Sequence, residues 1–472
     1  MNKKPNILFI NSDSHRYDCI GYANDYPVST PNLDKLSTQG MSFSKAFTPI
    51  PVCAPARQSF FSGVRPETTG GLWNHGITLP IGGLDPKESV WSNLLDGLGY
   101  NSAYVGKWPI DPDKSPHDFG YEHFTDNSEY ISYIETKHGK MKNPFETKSN
   151  NQALNLWGGI DPLPLEDAFT HWRANKTADM IREFAMSDKP WFVHLDMNEP
   201  HLPCNPVKEF ADLFPKENIP PWRSFKETFE GKPYIQKQQM YNWKIEDLTW
   251  EEWSQCVSRY YGMVAQLDDA IGCVLDLVCS LGIEENTIVI YTADHGDMSG
   301  GHRLIDKHYN QYDDLIHIPL IIKWKGVIEE NAVCDRFVYQ YLDLPPTFLE
   351  LWEQPTAKKL HGRSLLPLLK GEPPVDWREQ VMTTFNAAQF GLFTQRALRD
   401  EKYKYVWNPT DIDELYDLHS DPDELFNRIN DARYAEALKD LRLKLYNELK
   451  SVNDKILNGV WLERQLLENV KL

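Results

Sequence analysis

Four short, mostly apolar runs constrain this chain more than any other feature, because each is followed within a few residues by a chemically active side chain. Ile7–Ile10 leads to Asp13, Ser102–Val105 to Lys107, Trp191–Leu195 to His201, and Thr287–Tyr291 to Asp294-His295. Runs this short, without polar alternation, read as strands buried on both faces. Helical patterns lie between them. One starts at about Pro31, with Thr30 as N-cap and Gly40 as the stop. Others cover about Glu88–Leu98, Thr177–Met186 and Ser254–Leu281, the last with Val264, Leu267, Ile271, Val274, Leu275 and Val278 at helical spacing. Strands alternating with helices predict an α/β fold, a large mostly parallel sheet flanked by helices. In such a sheet the loops after the strands share one rim, where ligands bind. Asp13, Lys107, His201, Asp294 and His295 are therefore expected to converge.

Gly371-Glu372-Pro373-Pro374 marks a boundary, giving a catalytic domain over 1–372 and a smaller α+β subdomain over 373–472. The subdomain carries short strands at Gln380–Phe385, Gln395–Leu398 and Tyr403–Trp407, then a helix from about Tyr434 to Ser451. The stretches 125–170 and 205–250 break the alternation and are rich in aromatics, including Trp222, Trp243, Trp250 and Trp253. Stacking on a sugar ring, a contact between copies in a homo-oligomer and plain core packing all accommodate them.

With 49 Lys+Arg against 68 Asp+Glu, the net charge of −19 argues against binding nucleic acid or anionic membranes through overall charge. No apolar stretch approaches the length of a membrane span. Seven scattered cysteines make no disulfide scaffold and no CxxC pair. The chain as written reads as cytoplasmic, or as periplasmic or secreted if a leader has been trimmed.

The sharpest motif is Cys53-Ala54-Pro55-Ala56-Arg57. Cys-x-Pro-x-Arg is expected by chance roughly 0.02 times in such a chain. Pro55 places Cys53 at a helix N-terminus, where free N–H groups favour an anion, and Arg57 lies one turn on.

Together these residues resemble the type I sulfatases of the alkaline phosphatase superfamily. The likeness runs through Asn6–Ile10 and Asp13, Cys53–Arg57, Gly106-Lys107-Trp108, Pro200-His201-Leu202-Pro203, Asp294-His295-Gly296 with Lys307, Lys404-Tyr405, Glu414–Leu418 and Asp421-Pro422. The resemblance implies an alkaline-phosphatase-like fold and hydrolysis of sulfate esters of small or short sulfated sugars or aryl alcohols. It implies that a maturation enzyme oxidises Cys53 to Cα-formylglycine, whose gem-diol attacks sulfur, one hydroxyl displacing the alcohol and the other expelling sulfate. It further implies a divalent metal, Ca²⁺ by analogy, held by Asp13, Ser14, Asp294 and His295. Arg57, Lys107 and Lys307 would bind the sulfate, and His201 would protonate the departing oxygen. Asn74 would touch substrate, with His75 beside it.

Three positions depart from the family pattern. Ser14 replaces a second aspartate, and His295 stands where an asparagine is common, which would admit Mn²⁺ or Mg²⁺ as well. Pro109 replaces a histidine that serves as a candidate base, so either another group such as His75 takes that role or this branch manages without one. The substitutions at Ser14 and His295 also occur in phosphonate monoester hydrolases, which makes phosphonate or phosphodiester hydrolysis the alternative activity.

Overall fold

The computed structural model describes residues 4–75, 82–139, 157–356, 358–387, 389 and 391–471. Its strands, in chain order, are β1 Asn6–Asp13, β2 Met41–Phe43, β3 Ala46–Phe47, β4 Asn101–Gly106, β5 His123–Asp126, β6 Trp191–Pro200, β7 Thr287–Ala293, β8 Leu320–Trp324, β9 Ala332–Cys334 and β10 Val338–Tyr339, followed by β11 Gln380–Ala387, β12 Phe393–Asp400, β13 Tyr403–Trp407 and β14 Glu414–Asp417. Eight of them form one sheet in the order β5-β4-β6-β1-β7-β8-β2-β9. β5, β4, β6, β1 and β7 pair in parallel, while β8 runs antiparallel to both β7 and β2. The expected α/β architecture is present.

β1 lies at the centre, between β6 and β7, and all eight of its residues are buried. Ile7 and Phe9 pack into one apolar layer with Phe60, Phe192 and Phe348. Leu8 and Ile10 face the other way, among Leu33, Ile181, Leu267 and Ile271. The first layer is covered by helices α2 (Cys53–Ser62) and α6 (Gln340–Leu351). The second is covered by α1 (Pro31–Thr38), α4 (Phe169–Ala185) and α5 (Trp250–Ser280). Each buried Leu, Ile or Phe side chain contributes roughly 1.5–3 kcal/mol, so the double-sided run at Ile7–Ile10 anchors the sandwich. Helix α3 (Ser128–His138) follows β5.

Several elements differ from the sequence expectation. No α-helix forms over Glu88–Leu98; 3₁₀ turns at Pro86–Glu88 and Ser92–Leu94 take its place. Ser89 and Ser92 hydroxyls bond each other at 2.8 Å, and the Trp91 indole turns inward to donate to the Phe60 carbonyl at 2.9 Å. Thr30 precedes α1 but does not cap it. Its hydroxyl donates to Asp34, while Asp268 accepts from the Asn32 and Leu33 amides. The aromatics of 205–250 go largely to the core: Trp222 and Trp253 are buried with Tyr260 and Tyr261. Residues 140–156 of the other irregular stretch lie outside the described residues.

The antiparallel sheet β11-β12-β13-β14 follows the Pro-rich segment. It packs against helix α7 (Ala435–Ser451) through Leu398, Tyr405, Leu415, Leu441 and Leu445. Its first strand also touches the large sheet's side of the molecule, the Thr384 amide donating to the Pro49 carbonyl. No helix among the described residues is long and apolar enough to cross a membrane.

Candidate active site

The carboxyl ends of β1, β4, β6 and β7 lie side by side, and the N-terminus of α2 points at them. Asp13 closes β1 and Asp294 immediately follows β7, their strands joined by parallel pairing up to Ser12 and Ala293. Asp13, Cys53, Asp294 and His295 each bring one donor atom within 4.8 Å of the others, and all four are buried. Cys53 Sγ is 3.3 Å from His295 Nε2 and 3.7 Å from an Asp13 oxygen. The His295 Nδ1–H donates to the Gly296 carbonyl at 2.7 Å, which turns Nε2 towards the cluster. Burial lowers the ring's pKa, but the Asp294 charge lifts it to about 9 overall, so Nε2 carries a proton that a bound cation would replace.

Two buried carboxylates, one imidazole and a sulfur position make an oxygen-rich donor set of net charge −2, which suits a hard divalent cation. The electrostatics point the same way. Burial and the neighbouring Asp13 charge push the Asp294 carboxyl up to about 6. Burial would raise Asp13 too, but Lys107, His201 and Arg57 hold it well below the usual carboxylate range. Ser14, in a left-handed conformation (φ 69°), donates its amide to Asp294 at 3.2 Å and its hydroxyl to Asp13 at 3.1 Å. Its hydroxyl therefore stands at the edge of the donor set.

The cations ring this cluster. Lys107 Nζ lies 2.5 Å from Asp13 Oδ2. Lys307 Nζ lies 2.7 Å from His201 Nε2 and 3.0 Å from Asp306. Burial and Asp13 both oppose ionisation of the Cys53 thiol, yet Lys107, Lys307 and His295 draw its pKa well below the ordinary value. These cations favour negative charge at the Cys53 position.

Arg57 has a different placement from the free sulfate-binding fork expected of it. Its Nε donates to Asp294 and its Nη2 to Asp13, each at 3.0 Å, and its Nη1 makes a short contact to Asp196. All three guanidinium nitrogens are engaged by carboxylates, so Arg57 organises the acidic cluster. Asp196, on β6, is also bonded by the Tyr104 hydroxyl at 2.8 Å. Sequence reading missed it because the Trp191–Leu195 run ends one residue earlier. The parallel register that sets Asn11 opposite Asp196 is the signal that reveals it.

Asn74 holds the helix: its side-chain oxygen accepts from the Ala54 amide at 3.0 Å, next to Cys53. His75 turns Nε2 towards the Pro109 and Ile110 carbonyls, at 3.1 and 3.2 Å, beyond Lys107. His302 and His308, on either side of Lys307 in the chain, are both buried. His302 bonds Glu227 and stacks on Tyr312 at 3.6 Å, while His308 bonds Asp306.

The family model described as Sulfatase matches residues 5–353, and that of the N-sulphoglucosamine sulphohydrolase C-terminal region matches residues 300–451. The chain is 28% identical to an uncharacterized sulfatase, YidJ, of Escherichia coli, over 96% of this chain and 88% of that one. It is 27% identical to an arylsulfatase of Clostridium perfringens, over 97% and 96%. Among solved structures, a phosphonate monoester hydrolase of Agrobacterium radiobacter shares the fold with a TM-score of 0.80 at 22% identity, covering 96% of this chain and 97% of that one.

Proposed function

Because the chain belongs to the sulfatase family and hydrolyses sulfate esters, we propose that it acts on a small or short sulfated sugar or an aryl sulfate at position 53, after Cys53 is oxidised to Cα-formylglycine by a maturation enzyme. One observation carries this reading: Cys53 sits at the buried N-terminus of α2, against Asp13, Asp294 and His295 and under the charges of Lys107 and Lys307. Asp13, Asp294 and His295, with Ser14 at the edge, would hold a divalent ion, which we take to be Ca²⁺; the donor set also admits Mn²⁺ or Mg²⁺. A hydrated aldehyde beside such an ion supplies a hydroxyl nucleophile of lowered pKa and a counter-charge for sulfate oxygens.

The protein's own residues do the rest. Lys107 and Lys307 place positive charge where negative charge builds on the transferring group. Arg57 and Asp196 keep Asp13 and Asp294 oriented, and Asn74 fixes the first turn of α2. His201 Nε2 would deliver the proton to the departing alcohol oxygen once the ring is protonated and its contact with Lys307 gives way. In the resting arrangement a charged Lys307 donates to that nitrogen, which requires the neutral ring. Burial and Lys307 favour that neutral form, while the Asp13 charge draws the ring's pKa upward overall. All seven cysteines are unpaired, which supports a reducing, cytoplasmic compartment.

Mass spectrometry of the Cys53 peptide, paired with turnover of an aryl sulfate, a phosphonate monoester and a phosphodiester, tests the proposal. An aldehyde at position 53 with preferred sulfate release is the expected result. An unmodified thiol in active protein overturns the formylglycine route, and dominant phosphoester turnover overturns the substrate class in favour of the alternative activity.

A further inference from the structure

A cavity of about 500 Å³ opens beside His201, between the loop that follows β6 and helices α3, α4 and α5. Its size is that of a small-molecule site. Tyr130 and Phe169 on its wall are stacked, with centroids 4.4 Å apart and planes 22° from parallel. Beneath them Arg173 lies 3.3 Å from the Phe169 ring centre. It donates to Asn127 (2.9 Å), Asn198 (3.0 Å) and Glu199 (2.6 Å). Three lining side chains are thus fixed by one buried guanidinium.

The remaining hydrogen-bonding capacity is mixed. Asn198 and Asn205 use their side-chain oxygens on Arg173 and on the Gly159 amide. Their amide nitrogens donate to no protein group among the described residues. Asp161 and Glu199 each spend one carboxylate oxygen, on the Leu163 amide and on Arg173, and keep the other. An apolar face with both donors and acceptors around it matches a pyranose ring and its hydroxyls. Among the described residues no lysine or arginine lines the cavity, and two carboxylates do.

We propose that this cavity seats the alcohol half of the ester, an uncharged sugar, and that Asp161, whose charge no cation pairs among the described residues, rejects substrates bearing a second anionic group. The inference rests on the sulfatase reading: His201 borders both the cavity and the sulfate position, so an oxygen leaving sulfur towards His201 belongs to a group on the cavity side.

The test uses pyranose monosulfates substituted at positions 2, 3, 4 and 6, the corresponding disulfates, and 4-nitrophenyl sulfate as a substrate without sugar hydroxyls. The wild type should favour monosulfates by roughly 100-fold in kcat/KM, the size of a few kcal/mol of like-charge repulsion. Asp161→Asn, which keeps the oxygen facing the Leu163 amide, should narrow that ratio about tenfold. Tyr130→Ala should raise KM for the monosulfate about tenfold and weaken binding of the desulfated sugar, read by ligand-observed NMR. An unchanged ratio in Asp161→Asn overturns the proposal. So does equal turnover of mono- and disulfates, or turnover of the nitrophenyl ester with no monosulfate accepted. In each case the sulfatase reading survives. Sugar binding that depends on Tyr130, in protein that cleaves no sulfate ester, supports the cavity and overturns the sulfatase reading instead.

Discussion

Lys307 Nζ lies 2.7 Å from His201 Nε2, so the cation and the proposed acid meet at a single nitrogen. The contact links the loop after β6 to the loop after β7, and it fixes which ring nitrogen faces the reacting oxygen. His201→Ala should slow release of sugar alcohols by 10²–10⁴-fold, because they need a proton to depart. It should cost nitrophenyl sulfate far less. Lys307→Ala should lower kcat by 10²–10³-fold for both classes through lost charge stabilisation. Rates plotted against leaving-group pKa separate the two; equal losses in His201→Ala across the series would remove His201 as the acid.

A cation between Asp13, Asp294 and His295 should be visible without turnover. Calcium at a free concentration 100 times its Kd should stabilise the wild type by about 2.7 kcal/mol. The rise in melting temperature should vanish in Asp294→Ala, and a chelator should reverse it. If Ca²⁺, Mn²⁺ and Mg²⁺ all leave the melting temperature unchanged, the cluster holds no divalent ion.

Glu227 gives a stability test away from the reacting groups. Burial would raise its carboxyl, but the His302 hydrogen bond at 2.8 Å and the Lys232 charge lower it from 4.5 to about 2. A depressed carboxyl contributes stability above its unfolded pKa and loses it as pH falls through the folded one. Glu227→Gln should therefore cost roughly 3 kcal/mol at neutral pH. The gap to wild type should close between about pH 4.5 and 2. Urea titrations across that range measure it, and a gap independent of pH would contradict the ion-pair account.

Two glycines with similar backbones should respond differently. A Cβ on Gly106 (φ 115°) would lie 1.9 Å from the Asp196 carbonyl oxygen, directly before Lys107. On Gly99 (φ 79°) it would meet nothing within 4 Å. Gly99→Ala should cost only the backbone strain, about 1–3 kcal/mol. Gly106→Ala should cost more and reduce sulfate ester turnover by shifting Lys107; unchanged activity would show that Lys107 does not depend on that strand end.

The strand order of chemistry was legible in the sequence because doubly buried strands leave uninterrupted apolar runs and the parallel rim follows from their alternation with helices. Asp13, Asp294 and His295 were recoverable for that reason, and Cys53 through the Cys-x-Pro-x-Arg spacing. Asp196 was not: it sits inside a strand, and only register places it opposite Asn11 and beside Arg57. The helix expected at Glu88–Leu98 failed because Trp91 gains more by entering the core than the segment gains from a continuous turn pattern. Trp222 and Trp253 gave no sequence signal separating a sugar platform from a core, since both uses select the same ring.

The two carboxylates at the heart of the site come from strands paired across some 280 residues of chain, Asn6 opposite Thr287 and Ser12 opposite Ala293. During synthesis at 5–20 residues per second, Asp13 emerges roughly 15–60 s before Asp294 exists. No cation site can form in that interval, and an incomplete chain carries only half of one. Capture of a divalent cation would therefore report that the central sheet has closed, and a product truncated before β7 would be blind to it however well its first half folded.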